Sequence, residues 1–144
     1  MAGLKQISVF AENKPGKLEK ITKVLADEGV NITAISISST NGFGVIRFLV
    51  DETQKAFDSL RQKGFTVSIT EVLALALEDR PGGLHAVAKK MSDNGINMEN
   101  AHVLVLKHRE HAYLVVEVED VEGATAILRK ANVPMLTEEE YHAQ

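Results

Sequence analysis

Two seven-residue stretches, Glu12-Asn13-Lys14-Pro15-Gly16-Lys17-Leu18 and Glu78-Asp79-Arg80-Pro81-Gly82-Gly83-Leu84, stand 66 positions apart (78 − 12) and carry nearly the same groups in the same order. Each joins a polar side chain, a proline and a glycine to the start of an apolar-periodic segment. Such a loop is equipped to receive a small charged ligand. The start of a helix presents N–H groups without intrahelical partners at the positive end of its dipole, so Gly16, Lys17 and Leu18, or Gly82, Gly83 and Leu84, are candidates to receive a carboxylate. Glycine admits close approach. Pro15 and Pro81 preset a φ compatible with helix entry and need no backbone donor.

An asparagine such as Asn13 can both accept from an ammonium and donate to a carboxylate or hydroxyl, while Asn31, just past the helix, would enter the next strand near a domain interface. The second copy keeps Asn97 but has Asp79 in place of the first asparagine. A carboxylate there attracts an ammonium, repels a ligand carboxylate and cannot donate, so the first site ranks above the second or the two differ in selectivity. A plainer reading stands beside this one. Asn13 and Asp79 would cap the following helix, Pro-Gly would be a turn, and Asn31 and Asn97 would satisfy backbone after a glycine stop.

The elements that must position these residues also come twice. Lys23, Asp27, Gly29 and Asn31 match Lys89, Asp93, Gly95 and Asn97 at the same offset of 66, whereas Asp51, Ala56, Leu60 and Arg61 match Glu119, Ala124, Leu128 and Arg129 at 68. Two extra residues are therefore expected near Lys107 to Glu110, in a hairpin loop. Each copy reads as strand, helix, strand, strand, helix, strand. Ile7 and Val9 alternate with polar neighbours, Leu18, Ile21, Val24 and Leu25 recur at helical spacing, and Thr40-Asn41-Gly42 punctuates a central hairpin. The expected fold class is α+β: two ferredoxin-like βαββαβ modules, antiparallel sheets with helices on one face. The modules are expected at 1–71 and 72–144, with the boundary inside a continuous strand region at about 65–77. Thr137-Glu138-Glu139-Glu140 reads as a further helix start. The other sheet face is expected to be bare, carrying Ala74, Ala76, Leu104, Leu106, Tyr113 and Val115, and to pack between copies or chains.

Composition removes several function classes. A net charge of −4 without a basic stripe, and few aromatics, argue against nucleic acid as a partner. No segment approaches the roughly 18 apolar residues of a membrane span, and the amino terminus lacks a signal-peptide core, so no membrane association and a cytoplasmic location are expected. With no cysteine there are no disulfides, cysteine nucleophiles or thiolate metal sites. His102, His108 and His111 cluster on the second hairpin and His85 opens a helix, but no metal-motif spacing is present, and no metal or other cofactor is expected. Ser36, Ser38 and Ser39 read as polar residues on a strand's solvent face. With no nucleophile–base arrangement, nucleotide loop or paired acids, no enzyme activity is expected.

The repeated [Asn/Asp]-x-Pro-Gly-x-Leu, followed each time by Gly-Val-Asn-Ile or Gly-Ile-Asn-Met after the helix, resembles the pattern of tandem ACT-domain proteins over nearly the whole chain. The resemblance implies the βαββαβ fold and regulatory binding of a free amino acid at ACT–ACT interfaces. By resemblance to ACT domains of serine-regulated dehydrogenases, Asn13 and Asn31 would contact the effector. The expected protein is a free-standing allosteric sensor, a homodimer, that acts on a separate enzyme or regulator of amino-acid metabolism. The alternative is a ligand-free ACT pair acting as a protein–protein interaction module.

Overall fold

The structure, a computed structural model, describes residues 3–105 and 111–143. It divides into two compact units, one formed by Lys5–Thr70 and the other by the chain from Glu71 onward together with Gly3 and Leu4.

In the first unit, β1 (Leu4–Glu12) leads through a short loop to α1 (Lys17–Asp27), then to β2 (Ile32–Thr40), β3 (Phe43–Val50), α2 (Thr53–Gln62) and the start of β4 (Thr66–Glu78). The strand order is β2-β3-β1-β4. Both β1 and β2 run antiparallel to β3, with Ile7 and Ile35 opposite Phe48. Asn41 and Gly42 close the β2–β3 hairpin with positive φ of 53° and 83°, the backbone twist that a two-residue hairpin requires. Because side chains alternate along a strand, Ile7, Val9, Ile46, Phe48 and Val50 share one face. They bury against Ile21 and Leu25 of α1 and Ala56 and Leu60 of α2. Each such large side chain contributes about 1.5–3 kcal/mol of transfer free energy.

The second unit repeats this order with the rest of β4, α3 (Gly83–Asp93), β5 (Asn100–Val105), β6 (His111–Glu117), α4 (Val121–Lys130) and β7 (Met135–Leu136). Here β4 pairs with both β6 and β7, and β5 lies outside β6. Its core is the counterpart of the first: Leu73, Leu75, Leu114 and Val116 from the strands, with Val87 and Met91 from α3 and Ala124 and Leu128 from α4. Asp120 caps α4 by accepting from Gly123 N at 3.0 Å. The expected last helix is α5 (Glu138–His142), opened by a reciprocal pair in which Thr137 Oγ1 accepts from Glu140 N and Thr137 N donates to Glu140 Oε1, both at 3.1 Å.

The ladders place the two extra residues of the second copy. Ile35 faces Phe48 in the first unit, and Ala101 faces Val116 in the second. The counterparts differ by 66 on one strand (101 − 35) and 68 on the other (116 − 48), so the addition falls between Val105 and His111. Lys107 to Glu110, where it was expected, lie outside the described residues.

β5 begins at Asn100. The alternation that sets Ala74, Ala76, Leu104, Tyr113 and Val115 on the sheet face away from the helices holds. Ala74, Leu104, Tyr113 and Val115 on that face are all buried, in keeping with the expectation that it does not face water. Leu106 lies outside the described residues.

Candidate ligand-binding loops

The loop after β1 is fixed at its start by the hairpin and at its end by its own backbone. Asn13 N donates to Gly42 O at 2.7 Å, and Asn13 Nδ2 donates to Ser39 Oγ at 3.1 Å. Lys17 N closes a turn onto Lys14 O at 3.2 Å, and the first helical bond runs from Lys20 N to Gly16 O at 3.1 Å. Gly16 is the N-cap, at φ 89° and ψ −12°, with no side-chain capping bond. The same holds for Gly82, at φ 86° and ψ −10°. Neither Asn13 nor Asp79 caps a helix. The prolines stand two positions before the first helical residue, because a left-handed glycine, where a Cβ would be strained, separates them from the helix.

Loop electrostatics are set by one ion pair in each copy. Lys14 Nζ lies 2.7 Å from Glu12 Oε2, and Arg80 pairs with Glu78 in the same way. The hydrogen bond from Lys14, followed by its charge, holds the Glu12 carboxyl below the usual range, and the same contact holds the Lys14 ammonium above its own. Both groups are exposed, so solvent screens the pair.

The structure separates two residues that the sequence reading grouped. Asn31 N donates to Asp51 Oδ1 at 2.9 Å, and Asn31 O accepts from Asp51 N at 3.1 Å, at the start of β2. Asn13 is bound to Ser39, near the end of β2. These points are eight residue steps of extended strand apart (39 − 31), roughly 26 Å at about 3.3 Å per residue. Within one module Asn13 and Asn31 therefore cannot touch one small molecule.

In the second module Asn97 lines a recess of about 310 Å³ with Glu99, Glu119, Asp120 and Gly123. Gly82 and Gly83 line a different one, of about 170 Å³, with Glu78, Arg80, Lys90, Val133 and Pro134. Asp79 and Pro81 are exposed on the loop, as are Pro15 and Gly16 in the first copy. Lys17 and Leu18 are half-buried, and Leu18 packs on the core, whereas its counterpart Leu84 is 50% exposed.

Sequence reasoning missed Ser39 and Asp51 as the partners of the two asparagines, and Lys90 and Val133 beside the second loop. Ser38 accepts from Arg47 Nη1 at 3.1 Å and Ser39 from Asn13, so two of the three serines serve the hairpin. Among the described residues, no three of His, Cys, Asp and Glu are placed to hold a metal ion. His108 lies outside the described residues, as does the side chain of His111. No helix among the described residues is long and apolar enough to cross a membrane.

A family model described as an ACT domain pair matches residues 2–143. Among solved structures, a protein from Bacteroides thetaiotaomicron is 29% identical with a TM-score of 0.88, over 99% of this chain and 98% of that one. The regulatory subunit of aspartate kinase from Thermus thermophilus is 19% identical with a TM-score of 0.61, over 89% of this chain and 90% of that one. Its counterpart from Thermus flavus is 17% identical with a TM-score of 0.60, over 90% of each chain. At those identities the likeness to the two kinase subunits concerns the fold. No match was found among curated proteins.

Proposed function

From the premise that this chain belongs to the ACT domain pair family, whose domains are regulatory and bind ligands, we propose that it is a sensor of a free amino acid. It binds the effector where two ACT edges meet and modulates a separate enzyme or regulator of amino-acid metabolism. The observation that carries this reading is the helix start at Gly16, left without a side-chain cap and held beside Asn13 by the bonds to Ser39 and Gly42. A carboxylate is the ligand such a start favours.

Asn13 and Asn31 lie at opposite ends of β2, so one amino acid reaches both only where two such edges run antiparallel, each lending one asparagine. β2 suits that pairing. Ile32–Thr40 contains neither charge nor proline, and it leaves Ile35 and Ile37 44% and 52% exposed; both are features that isolated edges are normally built to avoid. The functional form is accordingly a homodimer, located in the cytoplasm, with neither nucleic acid nor membrane as a partner.

Thermal unfolding with each of the twenty amino acids at millimolar concentration tests the reading, followed by calorimetry on any hit. One amino acid should raise the melting temperature, since a ligand at 100 times its dissociation constant adds about 2.7 kcal/mol. The shift of an effector held at the paired edges should vanish in the Asn13→Ala, Asn31→Ala double variant. No shift with any amino acid would overturn it. A second reading, a ligand-free interaction module, draws support from the engagement of Asn13 Nδ2 with Ser39. It requires dimerisation, read by sedimentation, to be unchanged in the double variant while no amino acid binds the unaltered chain.

A further inference from the structure

The second module departs from the first at four positions that converge on one place. Lys17, Lys20 and Phe65 of the first copy correspond to Gly83, Ala86 and Val133 (offsets of 66, 66 and 68), and Val24 corresponds to Lys90. The backbone secures these equivalences. Gly16 and Gly82 are both left-handed N-caps, while Phe65 N donates to Leu60 O at 3.1 Å and Val133 N to Leu128 O at 3.0 Å. Three large side chains have thus become small, and all three replacements line the same recess of about 170 Å³.

Its remaining lining has a definite chemistry. Leu77, Val87 and Pro134 supply apolar surface, and Lys90 together with the exposed Glu78–Arg80 pair, which a zwitterion would have to part, supplies one negative and two positive charges. The Lys90 ammonium donates to Ala131 O at 3.0 Å, which uses one of its three donors and holds it at the recess. An apolar hollow bordered by an acid and two bases complements a zwitterion with a hydrocarbon side chain. The volume is below the roughly 300 Å³ at which drug-sized pockets begin, which selects a small molecule.

We propose that this recess binds a free amino acid with a small branched apolar side chain, its carboxylate met by Lys90 and Arg80 and its ammonium by Glu78. The proposal rests on the amino-acid reading for its ligand class, but not on the paired edges or on Asn13 and Asn31. It gives the second module a selectivity that the first, with lysines and phenylalanine at the same positions, does not share.

Calorimetric titration of the full chain with L-valine tests it. Three controls accompany it: Val133→Phe, which restores the first module's residue; Ala86→Leu, on the exposed side of α3 where leucine is a good helix former; and the Asn13→Ala, Asn31→Ala double variant. The expected result is one valine site that survives in the double variant and is weakened at least tenfold by Ala86→Leu and by Val133→Phe. Lys90→Met, 3-methylbutanoate and 2-methylpropylamine should each bring a loss of about tenfold or more. Circular dichroism and thermal unfolding establish that each variant is folded, and Ala86→Leu carries the test if Val133→Phe is not. Binding that persists in the folded recess variants but vanishes in the double variant overturns this proposal and leaves the edge site standing. Absence of valine binding to the unaltered chain also overturns it, while the screen of the other amino acids continues to judge the edge site.

Discussion

The Asn13 side chain donates to Ser39 across the β2–β3 hairpin at 3.1 Å, so the loop that opens α1 is held by a strand 26 residues away in sequence (39 − 13). That tie places the uncapped helix start and fixes which polar group stands beside it. Ser39→Ala releases the amide without removing it. Its expected cost is about 0.5–1 kcal/mol, as for an exposed neutral hydrogen bond, measured by urea unfolding. Under the sensor reading it leaves amino-acid binding at the paired edges within a few-fold of the unaltered chain, whereas Asn13→Ala abolishes binding there at a similar cost in stability.

The two loop glycines of the second module have different reasons to be glycine. Gly82 has φ +86° and no atom within 4 Å of an added Cβ, so Gly82→Ala meets backbone strain alone. It should cost about 1–2 kcal/mol. Gly83 has an ordinary φ, but an added Cβ would collide with Glu78 O, and Gly83→Ala should cost at least as much because the loop must shift. Denaturant unfolding compares the two, with Gly16→Ala, equally free of neighbours, expected to match Gly82→Ala.

Leu60 and Leu128 are counterparts, each fully buried at the centre of its own core. Leu60→Ala and Leu128→Ala should each destabilise by about 2–5 kcal/mol, through lost transfer free energy and the cavity left behind. Calorimetric unfolding reads the effect. A loss below 1 kcal/mol at either site would mean that the core there is not packed as described.

The Glu12–Lys14 pair makes a prediction in pH. Glu12 titrates below its ordinary value when folded, so its contribution is complete above the unfolded value and is lost as pH falls through the folded one. Lys14 titrates above its ordinary value, so its contribution is complete below the unfolded value and is lost as pH rises through the folded one. The pair is therefore intact across neutral pH. Both groups are exposed, and the effect on stability is small and weakened by salt. A carboxyl NMR titration should show Glu12 moving up towards the ordinary range in Lys14→Met.

Asp120 carries the cap of α4, with Gly123 N as its donor at 3.0 Å. Asp120→Ala should cost about 1 kcal/mol. Asp120→Asn should cost far less, because the amide oxygen takes the same bond; thermal unfolding at low ionic strength distinguishes the two.

The fold was legible because period and punctuation agree twice over. Ile7 and Val9 alternate, Leu18 to Leu25 recur at helical spacing, and Gly29 and Gly95 stop their helices with positive φ. The loops were legible as loops, while their partners were not. Nothing local to Asn13 names Ser39, and nothing local to Asn31 names Asp51, because both contacts depend on strand pairing across a hairpin. Motif spacing also gave no sense of distance along the sheet, so it did not show that β2 separates Asn13 from Asn31 within one module. The burial of Ala74 and Val115 was legible for a different reason: alternation puts them on the sheet face away from the helices, and an apolar face of that size seldom meets water.

The hairpin of the second unit has grown by two residues while every described rung of its ladder keeps the partner expected from the first. Chain length at that tip is thus uncoupled from the core of the unit, from both of its helices and from the loop that opens α3. For an engineer this directs an inserted epitope or circularly permuted fluorescent protein to the sequence between Val105 and His111, where under the sensor reading the insert would report on ligand binding from outside the described ladder.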